Sequence, residues 1–336
     1  MSDYVVVRCH GLKRYLLSKE KILELASSQS LLEFVDKLTN TFYAEKIRGI
    51  PLVPEAFQRV FANEFYKRVD FLYGISPPNL AEFLKNYMRK FEIELILSSL
   101  IEKLHGTYTI MEQIPTLDVF DLNLNEIFTQ KTFEEAFEIL IKHPPFNEIS
   151  ATNRELILKN KSMLLLESEL KRIYYTKLLE SIKKLPKASQ AIIMEVTGIE
   201  LDITNVMIAL SNYLYGYPPD TIEKSLIPIS YKIPIETLRK LMTTKDRETI
   251  RTYLFQYRDI INILLEKGET AAYIYTQRLI RKKLEKIRIE FAMNVAFVFY
   301  YVKMAEFEYR DLTSCVFGIY HHMPFDKLKE NLILVE

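Results

Sequence analysis

A chain of 336 residues with 49% hydrophobic content can bury two or three separate cores. Its 45 basic and 44 acidic residues leave a formal charge of +1, which lacks the basic excess of a nucleic-acid binder. The few glycines are scattered singly from Gly11 to Gly318, which excludes a Walker-type phosphate loop and a dinucleotide fingerprint. The two cysteines, Cys9 and Cys315, exclude a disulfide framework and a thiolate metal cluster.

At the N-terminus Arg8, Lys13 and Arg14 interrupt any apolar run, so no signal peptide is expected there. Ser30 with Glu33 has the spacing of a capping box, and Pro54 suits a first helical turn. An acid–aliphatic segment then runs from Glu92 through Leu104 and stops at Gly106. Residues 106–116 read as a break in the helical pattern. Thr132 with Glu135 forms a second capping box. Residues 163–185 place Leu166, Leu170, Ile173, Leu178, Ile182 and Leu185 on one stripe, the signature of an amphipathic helix. A second acid–aliphatic segment runs from Glu200 through Tyr215 to Gly216, with Asp202 expected as the N-cap of a helix of about twelve residues. Ile-Pro steps between Pro228 and Pro234 make a second break. Pro234 then suits a first turn, and Gly268 suits a helix stop before the stripe of Tyr275, Leu279, Ile280, Leu284 and Ile287. The longest apolar run, Phe291 to Val302, spans twelve residues and contains Asn294. A membrane-crossing helix needs about 20. The third acid–aliphatic segment runs from Glu306 through Ile319.

These segments repeat. Pro218 to Ile227 lines up with Pro324 to Ile333, with Pro, Asp, an aliphatic, Leu and Ile in the same places. In that register Glu200 meets Glu306 and Asp202 meets Glu308. A fainter copy sets Glu92 in the place of Asp202. Such self-similarity points to one helical module used three times. The two breaks divide the chain into 1–115, 116–230 and 231–336. The expected fold class is all-α, with three similar helical domains.

The triple acid–aliphatic helix, each copy followed by a Gly or Pro turn, resembles the C subunit of archaeal and bacterial A/V-type ATP synthases. That family is the counterpart of the d subunit in vacuolar ATPases. The apolar helix Val295 to Glu306, ending in Lys303-Met304-Ala305-Glu306, carries the resemblance further. Departures are also present: Leu95 and Asp311 stand where the second copy has Asn205, and His321 and His322 stand where the family usually has Gly. The resemblance implies three domains related by approximate threefold pseudo-symmetry and shaped as a funnel. It implies a non-catalytic rotor part at the cytoplasmic face of the membrane. Its partners would be the D and F subunits of the central shaft and the membrane proteolipid c-ring. No cofactor, metal, nucleic acid or small-molecule substrate is implied.

The expected shaft interface comprises the helix-end segments His105-Gly106, Tyr217-Pro218-Asp220 and His322-Pro324-Asp326. Exposed helix ends direct partial charges at a partner. Other readings are an all-α scaffold and an all-α Mg²⁺-dependent enzyme. The enzyme reading rests on Asp118, Asp121 and Glu126, whereas Mg²⁺ usually needs carboxylates converging from several elements. Adjacent His321 and His322 diverge on a helix and make a poor metal pair.

Overall fold

The structure, a computed structural model, describes residues 2–106 and 117–335. The expected break at 106–116 lies almost wholly outside them. The fold is all-α, without strands among the described residues. There are two compact units: Met1–Pro77 with Asp259–Glu336, and Pro78–Arg258. Unit 1 takes α1 (Ser2–Lys13), α2 (Lys19–Ala26), α3 (Leu31–Leu38) and α4 (Pro54–Gly74) from the start of the chain. Unit 2 holds α5 (Pro78–His105), α6 (Asn125–Phe128), α7 (Phe133–Leu140), α8 (Ala151–Asn160), α9 (Met163–Ile182), α10 (Lys187–Ala209), α11 (Ser211–Tyr215), α12 (Pro219–Ser225), α13 (Ile235–Leu241) and α14 (Arg247–Tyr253). Unit 1 resumes with α15 (Arg258–Lys267), α16 (Glu269–Glu290), α17 (Ala296–Tyr320) and α18 (Phe325–Glu330). These units follow packing, whereas the three-way division of the chain follows the sequence repeat.

Local signals act largely as read. Thr132 and Glu135 complete a reciprocal capping box on α7. Ser30 caps α3, but Glu33 reaches the N–H of Gln29 rather than that of Ser30. Pro54 opens α4, Pro234 sits one residue ahead of α13 as its cap, and Gly268, at φ 87°, separates α15 from α16. Cys9 and Cys315 are both free and buried. Burial pushes the Cys9 thiol up to about 12.

The acid–aliphatic segments depart from expectation. Asp202 is not an N-cap: it lies deep within α10, as Glu92 lies within α5 and Glu308 within α17. The helices run straight through these acids because each carboxylate is buried and accepts hydrogen bonds from distant parts of the chain. A Glu92 oxygen accepts from the N–H groups of Asp121 and Leu122 at 3.0 Å each. Asp202 accepts from those of Tyr231 and Lys232 at 2.8 and 2.7 Å, and from the Tyr257 hydroxyl at 2.8 Å. In both cases the backbone donors lie 29 and 30 residues further on. Glu308, in the same repeat register, takes its backbone donor from Leu17, 291 residues away. It also accepts from the Tyr43 hydroxyl at 2.6 Å and from Arg68 Nη1 at 2.9 Å.

In unit 1, α17 is buried along nearly its whole length, from Ala296 to Ile319. Its first two turns, Ala296 to Val302, are apolar on every side, as suits a core. No helix among the described residues is long and apolar enough to cross a membrane. Lys303, fully buried, pairs with Glu306 at 3.1 Å, and Arg310 reaches the same carboxylate at 3.2 Å. The α4 helix runs antiparallel to α17: Phe65 stacks on Tyr309 at 5.8 Å, and Arg68 meets Glu308. In unit 2, α5 packs antiparallel to α9, with Glu82 at its start paired to Lys184 just past the end of α9 at 2.6 Å.

Candidate docking site at the helix-end turns

The turn that follows α10 and the short α11 in unit 2 is fixed from below. Asn205 Oδ1 accepts from the N–H of Ile227 at 3.0 Å, and its Nδ2 donates to the carbonyls of Ile227 and Ile229 at 3.0 and 2.9 Å. Fully buried Ile222 seats α12. Between these anchors the chain turns at Gly216, φ 75°, whose N–H donates to the Asn212 carbonyl at 3.0 Å while that of Tyr217 reaches the Ser211 carbonyl at 3.3 Å. The left-handed conformation ends the helix where a side chain would be strained. Tyr215 and Tyr217 are exposed there, their rings 6.4 Å apart edge to face.

The turn that follows α17 in unit 1 is built alike. Asp311, the counterpart of Asn205 in the repeat, accepts from the N–H groups of Ile333 and Leu334 at 2.7 and 2.8 Å. Burial pushes its carboxyl up to about 7, against the pull of those two donors and the nearby guanidinium groups of Arg278 and Arg281. Leu328 seats α18 over Gly318, where a Cβ would come within 2.6 Å of a Leu328 methyl. Arg278 donates to the carbonyls of Lys329, Glu330 and Leu332 and holds the end of α18. His322 occupies the position of Gly216 and adopts φ 54°. Tyr320, Met323 and Phe325 are exposed around it.

Every expected interface residue is exposed. Tyr217, Pro218 and Asp220 share the unit 2 turn, and Asp220 stands in the first turn of α12. His322, Pro324 and Asp326 share the unit 1 turn, and Asp326 stands in the first turn of α18. His105 and Gly106, φ 66°, stand at the end of α5, and the residues that follow are outside the described ones. Sequence reasoning missed Tyr215, Tyr320, Met323 and Phe325. Their signal was an aromatic or Met placed within three residues of the turn's Gly or His, where the solvated side of a helix usually carries charge. It also missed the clamps, because Asn205 and Asp311 find their partners 22 residues away.

Of the three carboxylates considered for Mg²⁺, Asp121 is engaged within the fold. Asp121 pairs with Lys85 at 2.6 Å and with Arg89, while its N–H serves Glu92. Burial and the Asp121 charge push the Glu92 carboxyl up to about 7. Among the described residues no group of three His, Cys, Asp or Glu side chains is placed to hold a metal ion.

A family model described as "ATP synthase (C/AC39) subunit" matches residues 5–331. The C subunit of the A-type ATP synthase of Thermococcus gammatolerans is 22% identical over 333 residues, which cover 98% of this chain and 88% of that protein. Its counterpart in Thermococcus kodakarensis is 24% identical, over 94% of this chain and 85% of the relative. That of Methanocaldococcus jannaschii is 22% identical, over 98% and 86%.

Proposed function

The chain belongs to the ATP synthase (C/AC39) subunit family, and from that premise we propose that it is a non-catalytic central-stalk part of an A-type ATP synthase. In this role it links the central shaft to the membrane proteolipid c-ring and passes torque between them. The shaft partners are the D and F subunits, and the site of action is the cytoplasmic face of the membrane, as a peripheral part of the complex. The three modules, 1–115, 116–230 and 231–336, are copies of one unit with approximate threefold pseudo-symmetry.

One observation carries the docking assignment. Two helix-end turns expose aromatic and Met side chains, and each is pinned by the same side-chain clamp on the backbone 22 residues on. Large amphipathic side chains held on a rigid base lose little freedom when a partner arrives, which is the economy of a preformed interface. Torque also demands stiffness. Close-packed interiors transmit strain, and the buried Glu308–Arg68 contact ties the central helix of unit 1 to α4.

Binding to purified shaft proteins tests this. Met323→Glu with Phe325→Glu in unit 1, or Tyr215→Glu with Tyr217→Glu in unit 2, should weaken shaft binding by about tenfold or more, as loss of anchor residues does. Asp220→Lys with Asp326→Lys should weaken it further if the shaft end is basic and strengthen it if acidic. Unchanged affinity in all three variants, with thermal melting unaltered, would remove the helix-end turns from the interface.

A further inference from the structure

The start of α17 is a meeting point of helix ends within unit 1. The α1 helix runs beside α17 in the same direction: His10 stacks on Phe297 at 3.8 Å, Lys13 lies over the Tyr300 ring at 5.4 Å, and Leu17 donates to Glu308. At 1.5 Å per residue the first turns of α1 therefore extend about 9 Å beyond His10, past the start of α17. They carry exposed Tyr4 and Val7. The antiparallel α4 ends here too, with exposed Phe71 beneath the Arg8 guanidinium at 5.4 Å. So does α16, whose early residue Tyr273 lies by Arg310 at 5.9 Å and whose late residues Glu285 and Arg288 face Tyr300. His10 Nε2 donates to the carbonyl of Ala292 at 2.7 Å and fastens the turn between α16 and α17 to α1. On that turn and the end of α16, Ile289 and Met293 are 72% and 71% exposed.

Cations surround these tips. Residues 281–290 carry five basic and two acidic side chains, and the first turns of α1 add Arg8 and Asp3, a net excess of cations in a chain whose formal charge is only +1. Lys282, Lys286 and Arg8 are exposed. Apolar side chains exposed to that degree protrude instead of lining a groove. A protruding apolar tip ringed by cations is complementary to an interface that is anionic at its surface, apolar just beneath and fluid enough to admit it. A protein surface would need an apolar pocket shaped to each protruding side chain, whereas a lipid surface supplies charge and apolar layer together.

We propose that this end of unit 1 docks on an anionic lipid surface. Ile289 and Met293 enter the headgroup boundary, and Arg8, Lys282 and Lys286 meet lipid phosphates. The contact is peripheral and does not depend on which polypeptide occupies the opposite turn at Met323 and Phe325.

Co-sedimentation of the full chain with vesicles tests it. The chain should sediment with phosphatidylcholine vesicles containing phosphatidylglycerol, stay in solution with phosphatidylcholine alone, and be released by high salt. Each cation at such a surface strengthens binding about fivefold, so Lys282→Gln with Lys286→Gln should weaken it about 25-fold. Ile289→Ser with Met293→Ser should weaken it about 100-fold or more, the scale of two apolar side chains leaving an apolar layer. Both pairs are exposed, and unchanged circular dichroism and melting would confirm that they still fold. Met323→Glu with Phe325→Glu should leave vesicle binding unchanged, which separates this contact from shaft docking. Equal binding to both vesicle types, no binding to either, or variant affinities equal to the parent would overturn the proposal. So would capture by polyglutamate without capture by vesicles, which would point to an acidic protein partner.

Discussion

His322 stands at φ 54° in a position where the two related turns use Gly106 at 66° and Gly216 at 75°. A residue with a Cβ loses roughly 1–2 kcal/mol in that region. Glycine removes the clash but adds freedom to the unfolded chain, which returns part of the gain. His322→Gly should therefore stabilise the protein by about 0.5–1 kcal/mol, read as a rise in melting temperature or in urea midpoint. A fall would mean that the exposed imidazole makes a contact stronger than the strain it carries. Asp311 and Asn205 illustrate a different residue-level substitution. One is an acid and the other an amide, yet each offers an oxygen to the backbone N–H 22 residues on. The repeat preserves the acceptor rather than the charge.

At the scale of the helix, Gly198 decides how α10 meets the segment that follows it. A Cβ there would lie 2.3 Å from the Tyr231 ring, far inside contact distance. Alanine is the better helix former by about 1 kcal/mol, but the ring must leave, and the N–H groups of Tyr231 and Lys232 leave Asp202 with it. A buried carboxylate short of its donors costs about 1–3 kcal/mol for each unmet bond. Gly198→Ala should thus lower stability by about 2 kcal/mol in net terms. Adding Tyr231→Ala should recover most of the loss by removing the obstacle, and a double variant no more stable than the single one would place the damage elsewhere. The same helix marks the limit of what was legible in the sequence. Helices α9 and α16 could be read from stripes of Leu, Ile and Tyr at helical spacing, although only α16 is buried mainly on one face and α9 also buries Ser168, Glu169 and Tyr175. The α10 and α17 helices read as short pieces starting near an acid, because Asp202 looks like a local cap and Glu308 holds the same place in the repeat. Their real partners lie 29 to 291 residues away, and no local pattern encodes such distances. The repeat is the exception: its register alone places Asp311 over Asn205 and His322 over Gly216. The exposed turns were legible through their Gly and Pro residues, but their aromatic side chains were not, because burial depends on packing.

At the scale of the whole molecule, unit 1 is assembled from both ends of the chain, with Glu308 as its knot. Leu17, Tyr43 and Arg68 all converge on that one carboxylate. Burial works against the charge on Arg68, but Tyr43 and Glu308 beside it raise its pKa above the ordinary value. Removing the acid leaves a buried guanidinium alone, a loss of about 3–5 kcal/mol. Glu308→Ala should therefore raise amide hydrogen exchange across 1–77 and 259–336 together while 78–258 keeps its protection. A uniform rise over the full length would contradict two separately stable units. This interleaving also sets an order of events during translation. Residues 78–258 can settle as soon as they clear the ribosome, since all their partners have by then been made. The opening stretch, α1 to α4, cannot: α4 must wait, its aromatic face uncovered, until the segment holding Glu308 has been synthesised. At a usual elongation rate of about 5–20 residues per second, the 240 residues between Arg68 and Glu308 amount to about 12–48 seconds of waiting, an interval in which chaperones would find their substrate.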